Sequence, residues 1–370
     1  MKKHCLGHVD IPLQRVHIEL TNVCEFNCQF CPKSEMKRPF GYMETELARR
    51  LISEIGAKGI SEKVTLHVMG EPTLHPDFFQ ILDHAEAEGV KIGLTTNGAG
   101  LSRKIGPRLV DYALHQVDIS LQTPDEKSYA LRKAGSLTFD DYLTGILNFF
   151  SKYNRKHPNT IFKFRFLNTR FPKKDMEKQI GPIRVISSTR ELRKIFRYWA
   201  DRIYDLMGID GQTRQKALSE IGKLVSYKWH VVEIAPNVFF ETYVLSNWGH
   251  AFGDDTLREA WAGTCFGMKD HFSVLYNGDV TLCCIDFDGH TAIGNAHAAT
   301  LEEILSSDEL GEIITGFKRY RLVHPYCKIC LGSHSFLSWL MKPLNSVIAL
   351  QVLKPFFYHK TRVFDKTEEV

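Results

Sequence analysis

Three cysteines of this 370-residue chain sit within eight positions, in the run Cys24-Glu-Phe-Asn-Cys28-Gln-Phe-Cys31. Soft thiolates select zinc or iron-sulfur clusters. A structural zinc site wants four closed ligands, and neither a fourth cysteine nor a well-placed histidine stands nearby. A 4Fe-4S cube held by three cysteines instead keeps one iron open to a substrate or cofactor.

A second group lies towards the other end of the chain. Cys265 is followed by twelve residues, Gly278, four more residues and Cys283, and Cys327 and Cys330 then form a C-x-x-C pair. Four thiolates close a site, and on spacing alone zinc and 4Fe-4S both stand open. Cys284 follows Cys283 on a predicted strand, where neighbouring side chains point to opposite faces, so only one of the two ligates a given cluster. Cys284 is then either a small buried hydrophobe or a thiol facing the substrate, able to pass a proton or hydrogen atom. Asp286 is a weaker candidate base, and Cys5 has no partner in sequence.

Elements that place these groups can be read from periodicity. Val16–Leu20, Val64–Met69, Val90–Thr95, Gln116–Leu121, Ile161–Leu167 and Val231–Ile234 read as strands, and Glu44–Ala57, Asp77–Glu88 and Phe139–Tyr153 carry apolar residues at helical spacing between them. Six β/α units cannot close like eight. The expected fold is therefore α/β, a partial (β/α)6 TIM-like barrel with its chemistry at the C-terminal strand ends. The first cysteine group follows the first strand directly. The fifth crossover, 168–229, is long and holds a charged helix around Arg190–Tyr204, a segment expected to shape a pocket. After Pro236 the alternation stops. A hairpin over Ser273–Cys283 turned at Asn277-Gly278 and a helix around Leu301–Thr315 follow. The expected domains are 1–235 for the barrel, 236–335 for the second cysteine group and 336–370 for an apolar tail.

Composition excludes several classes. Net charge is +4, and the basic residues are scattered rather than clustered with aromatics, which gives no case for nucleic acid. No export signal is read at the N-terminus, so a cytoplasmic address is expected, and the nine cysteines then speak for metal or catalysis rather than disulfides. Residues 336–357 are apolar but broken by Lys342, Pro343, Lys354 and Pro355, which favours docking on the protein's own body over contact with a membrane surface.

The C-x-x-x-C-x-x-C run with an aromatic residue, Phe30, before its last cysteine resembles the signature of the radical S-adenosylmethionine (SAM) superfamily. Gly70-Glu71-Pro72 after the second strand resembles that family's G-G-E-P motif with Met69 in place of the first glycine, which implies a hold on the amino group of SAM. Thr95 and Asn97 in Thr95-Thr96-Asn97-Gly98, and Ser120 at the end of the fourth strand, match positions that surround the ribose and the methionyl carboxylate. Arg132 stands where relatives place a carboxylate-binding arginine. The spacing from Cys265 to Cys283 and the Cys327/Cys330 pair resemble the first part of the SPASM auxiliary-cluster domain, in a truncated, twitch-like form with no cysteine after Cys330. That resemblance selects Cys283 over Cys284 as ligand and iron-sulfur over zinc.

The resemblance implies two 4Fe-4S clusters, one binding SAM and one auxiliary, and an external electron donor such as flavodoxin or ferredoxin. It implies reductive cleavage of SAM to a 5′-deoxyadenosyl radical, hydrogen abstraction from a substrate lying between the clusters, and a two-electron oxidation aided by the auxiliary cluster. Single-cluster relatives include a cyclitol dehydrogenase, and the wider group includes peptide-modifying enzymes. With the first strand expected near residue 15, no room is left for a leader-binding domain, and a small carbohydrate- or cyclitol-like alcohol is expected over a peptide. The rival from another class is a noncatalytic iron-sulfur or zinc protein.

Overall fold

The structure, a computed structural model, describes residues 4–102, 105–171, 174–251 and 257–348. Strands β1 (His4–Leu6) and β2 (Val9–Ile11) form a separate antiparallel hairpin. All other strands join one sheet: β3 (Arg15–Ile18), β4 (Val64–Thr65), β5 (Ile92–Thr96), β6 (Gln116–Gln122), β7 (Ile161–Asn168), β8 (Val231–Ala235), β9 (Val238–Val244), β10 (His271–Val274), β11 (Asp279–Thr281) and β12 (Ala292–Asn295). Their spatial order is β12-β11-β10-β3-β4-β5-β6-β7-β9-β8.

From β10 through β3 to β9 every neighbour is parallel, and antiparallel strands finish both edges. This agrees with an α/β partial barrel but corrects its strand list. The sixth barrel strand is β9, whereas Val231–Ile234 lies in β8, an antiparallel edge strand. Pro236 and Asn237, the latter at φ 60°, turn β8 straight back on β9, so no crossover separates them. A boundary at 236 would split this hairpin. The second strand, expected over Val64–Met69, stops at Thr65 because the chain bends towards the Gly70 turn.

The helices follow their sequence signals. Thr45–Lys58 buries Leu47, Leu51, Ile52 and Ile55 on the sheet and ends at Gly59, whose φ of 59° suits a residue without a Cβ. Phe139–Lys156 is capped by Thr138, which accepts from Asp141 N. The helix expected over Leu301–Thr315 is two, Leu301–Leu305 and Asp308–Lys318, because Ser307 caps the second. In the long crossover, Thr189–Met207 buries Trp199 and Phe196 against Phe166 and Phe240, and Trp199 Nε1 donates to Pro124 O at 3.1 Å. Helix Lys174–Ile180 of the same segment takes a hydrogen bond at Ile180 O from Gln29 of the cysteine loop.

Apolar residues of the barrel strands, such as Val16, Ile18, Val117, Ile119, Phe162 and Phe164, form the core beneath the helices. Alternate residues on the other face are polar, a consequence of the period of two in a strand. The tail begins with helix Phe336–Val347, whose Trp339 Nε1 donates to Glu259 O at 2.7 Å while Phe336 and Leu337 are exposed. Positions 349–370, and with them the rest of the expected tail, lie outside the described residues. Among the described residues no helix is long and apolar enough to cross a membrane.

Candidate active site

The first cysteine loop follows β3 and is held on every side. Asn27 N and Gln29 N donate to Arg132 O and Leu131 O at 3.2 and 2.8 Å, and Cys31 N donates to Cys28 O at 3.0 Å. Lys33 Nζ closes the loop by donating to Cys24 O at 2.7 Å and Phe26 O at 3.2 Å. Burial pushes the Cys24 and Cys31 thiols up to about 12, with Glu71 and Glu25 adding to the rise at Cys24 and Cys28 to that at Cys31. Cys28 is raised by burial against the opposing pull of Arg132. Buried thiols of this kind lose their protons to a metal rather than to water, so the three-sulfur donor set fits an iron-sulfur cluster.

Glu71 is the hub of the neighbouring strand ends. Its Oε1 accepts from Thr73 Oγ1 (2.7 Å) and Thr96 Oγ1 (2.8 Å), and its Oε2 from Asn97 N (2.6 Å). Burial, then the nearby Glu25, lifts its carboxyl to about 7 despite these donors. Gly70 has φ 72°, and a Cβ there would stand 2.2 Å from Thr21 O, so only glycine lets this turn press on the loop after β3. Pro72 opens the 3-10 turn that follows. Asn97 Nδ2 donates to Cys24 Sγ at 3.4 Å and Glu25 Oε2 at 3.0 Å, joining β5 to the cysteine loop.

Arg132 is buried and does not present an open fork. Its Nη1 donates to Ser120 O (2.6 Å) and Leu121 O (3.0 Å), its Nη2 to Asn97 O (3.2 Å), and its guanidinium lies over the Phe26 ring. Its Nε alone lacks a partner. Arg132 thus ties the ends of β5 and β6 to the cysteine loop, with Ser120 engaged through its carbonyl. Thr95 is half-buried on β5, and Phe30 is buried with its carbonyl taking Trp248 Nε1 at 3.1 Å.

The second group converges from three segments. Cys265 lies in the loop before β10, Cys283 follows β11, and Cys327 and Cys330 lie on helix Pro325–Cys330. Burial raises Cys283 and then Cys265 adds to it, while at Cys327, pushed to about 12, burial is followed by Cys265 and Cys330, so the thiols share one neighbourhood. A Cβ at Gly249 would meet Tyr326 Oη at 3.0 Å and Cys330 Sγ at 3.5 Å. Residue 248 touches the first loop and residue 249 the second group.

Cys284 and Asp286 part ways. Cys284 Sγ lies 3.7 Å from His271 Nε2, and the sulfur, His271 and His17 offer ligand atoms within 4.8 Å of one another. Asp286 is fully buried and spends both oxygens on its own turn. His290 N and Thr291 N donate to it at 3.0 and 2.5 Å, and Thr291 Oγ1 at 2.7 Å. Saturated in this way it is a structural residue, which corrects its reading as a base. Sequence reasoning missed Tyr243, Trp248 and the polar inner-face residues. For the inner-face residues the signal was charged and histidine residues at every second position of strands expected to be apolar, such as Lys163 and Arg165 of β7.

Residues 18–168 match the radical SAM superfamily and residues 265–331 match the SPASM iron-sulfur cluster-binding domain, so the chain carries a radical SAM domain followed by a SPASM domain. The first domain binds SAM and a 4Fe-4S cluster, and the second binds auxiliary iron-sulfur clusters. The chain is 32% identical over 123 residues to the mycofactocin maturase MftC of Mycobacterium ulcerans (strain Agy99), covering 32% of each protein, so it spans about a third of that relative's length. In fold it is similar to Streptococcus suis SuiB bound to the precursor peptide SuiA (TM-score 0.51, 16% identity, 84% of this chain and 68% of that one). It is likewise similar to anSMEcpe with bound AdoMet (TM-score 0.51, 15% identity, 91% of this chain and 96% of that one).

Proposed function

We propose that this protein is a radical SAM oxidoreductase that oxidises a small carbohydrate- or cyclitol-like alcohol by two electrons, in the polar space enclosed by the inner face of the sheet. When bound, SAM and the cluster on Cys24, Cys28 and Cys31 supply a 5′-deoxyadenosyl radical that takes hydrogen from the substrate. The observation that carries the reading is the bridge between the two cysteine groups: Trp248 donates to Phe30 O while its neighbour Gly249 packs against Cys330. A substrate beside that bridge has a radical source on one side and, on the other, the auxiliary cluster of Cys265, Cys283, Cys327 and Cys330 as electron acceptor.

Around SAM, the Gly70-Glu71-Pro72 turn positions the amino group, and Thr95, Asn97 and Ser120 form the strand-end wall. Arg132 holds that wall together and adds positive charge beside Cys28. Cys284, next to His271, is the thiol placed to pass a proton or hydrogen atom on the substrate side. Reducing electrons come from a flavodoxin or ferredoxin. A second reading, modification of a peptide or protein side chain, is favoured by the maturase relative and by the peptide seated on SuiB.

Anaerobic turnover with dithionite tests the first step. Wild type should form 5′-deoxyadenosine and Cys28→Ala should form none. Equal amounts from both proteins would remove the assignment.

A further inference from the structure

Parallel strands covered on both faces are ordinarily apolar on both. Here the inner face carries Arg15, His17, Lys63, Asp118, Arg165 and Glu241, an expensive set to enclose unless each member is answered. Arg165 is answered twice: Nε donates to Glu241 Oε2 at 3.1 Å, and Nη2 lies 2.8 Å from Asp118 Oδ2. The two acids lie behind it, with side chains 11% and 5% exposed against 23% for Arg165. The guanidinium is therefore the most exposed member of this triad, already oriented by two carboxylates, with Nη1 making no hydrogen bond among the described residues.

The same face carries two buried polar atoms that nothing answers. His67 Nδ1 and Ser273 Oγ are buried with no hydrogen-bond partner, and burial drives His67 down to about 3, which leaves its ring neutral. Arg165 acts electrostatically on His67, Cys284 and Tyr243, and Tyr243 in turn feels Cys31. The guanidinium thus lies within electrostatic reach of His67, Tyr243 and Cys284.

The His17–His271–Cys284 cluster has the composition of a metal site, but its neighbours speak against a cation. Arg15 Nε donates to His17 Nε2 at 3.1 Å and Thr65 Oγ1 lies 2.6 Å from His17 Nδ1, so both ring nitrogens are engaged. Arg15 and Arg165 add positive charge beside the thiol. An anion suits this surface.

Resting on the reading of this space as the substrate site, we propose that the substrate carries an anionic group, a carboxylate or a phosphate ester. That group docks on Arg165 through Nη1, the guanidinium nitrogen that neither carboxylate holds. Arg165 then sets the substrate class.

Calorimetry on cluster-loaded, SAM-bound protein with glucose, glucuronate and glucose 6-phosphate as probes tests this. One of the two anionic sugars should bind at least about tenfold tighter than glucose, equivalent to about 1.4 kcal/mol. Which one does so separates carboxylate from phosphate. Arg165→Gln should reduce the preference to within about threefold, and Arg165→Lys should restore part of it. Because Arg165→Gln strands two acids, the Asp118→Asn/Arg165→Gln double variant is measured beside it and should show the same loss. Equal binding of all three sugars, no binding of any, or a preference that survives in the double variant would overturn the proposal. So would a variant that shifts only the auxiliary-cluster potential. Dithionite-driven SAM cleavage by wild type is scored separately, so failure of the radical assignment is not confused with failure of anion recognition.

Discussion

The two cysteine groups are built on opposite plans. The first is one short loop, braced by backbone hydrogen bonds, Lys33, Asn97 and the buried Arg132, and it offers three sulfurs. The second gathers four sulfurs from segments far apart in sequence, and they meet only because the sheet, helix Pro325–Cys330 and the Trp248–Gly249 turn are in place. An open site needs a stiff surround to keep its missing ligand position for a cofactor, whereas a closed site is shaped by its own fourth ligand. The first should therefore fail through chemistry when a cysteine is lost, and the second through local structure.

The largest effect tests the open site. Cys28→Ala should drop 5′-deoxyadenosine formation to background with the fold intact, as read by circular dichroism. Cys330→Ala should lower iron from about eight to about four per chain and abolish substrate oxidation, yet keep SAM cleavage within about tenfold of wild type. Equal collapse of both activities would erase the contrast.

Next come the braces. Glu19 is buried against Arg38 at 2.9 Å and also accepts from Met69 N and Tyr276 N, so it joins the first loop to the C-terminal half. Glu19→Gln should cost about 3–5 kcal/mol in urea denaturation, since it leaves Arg38 buried without its counter-charge. Gly70→Ala should cost about 1–3 kcal/mol and weaken SAM binding through backbone strain and the clash with Thr21 O. Gly89→Ala, at φ 65° with nothing within 4 Å, should cost about 1 kcal/mol and leave SAM binding alone.

The smallest effect is graded by pH. His67 is held near 3 in the folded protein against an ordinary value of 6.5, so between those values the unfolded chain takes a proton that the folded chain refuses. Stability is then full above about pH 6.5 and falls as pH drops, by about 1.4 kcal/mol per unit for this one group. Because the unfolded imidazole is only partly protonated near pH 6.5, the loss from pH 7 to 5.5 is about 1.2 kcal/mol in all, and His67→Asn should remove it in denaturation curves taken over that range.

How much of this was legible in sequence follows the same division. The Cys24–Cys31 loop, Glu71 and Asn97 are local motifs, each at the end of a strand whose apolar rhythm is clear, and the structure brings them together. The β8–β9 hairpin was misread because Pro236-Asn237 is a tight turn hidden between two apolar runs, and one of those runs looked like the sixth barrel strand. Arg132 was assigned a ligand-binding role from its position in the chain, but its contacts with three carbonyls depend on how β5 and β6 end. Asp286 looked available because nothing in sequence reveals that the turn to Thr291 folds back on it. Arg165, His67 and Tyr243 escaped notice because their neighbours are tertiary, although alternation of charge with apolar residues along β7 was visible.

Strand β10 has a consequence for how the molecule is made. It pairs with β3, residue for residue from His271 against Arg15 to Val274 against Ile18, so the strand that carries the first cysteine loop keeps a bare edge until nearly all of the barrel has left the ribosome. Contacts so distant in sequence form late, and an open edge invites other chains. A chain that ends before residue 271 therefore leaves one edge of β3 unpaired, an open margin that invites other chains until the second half arrives.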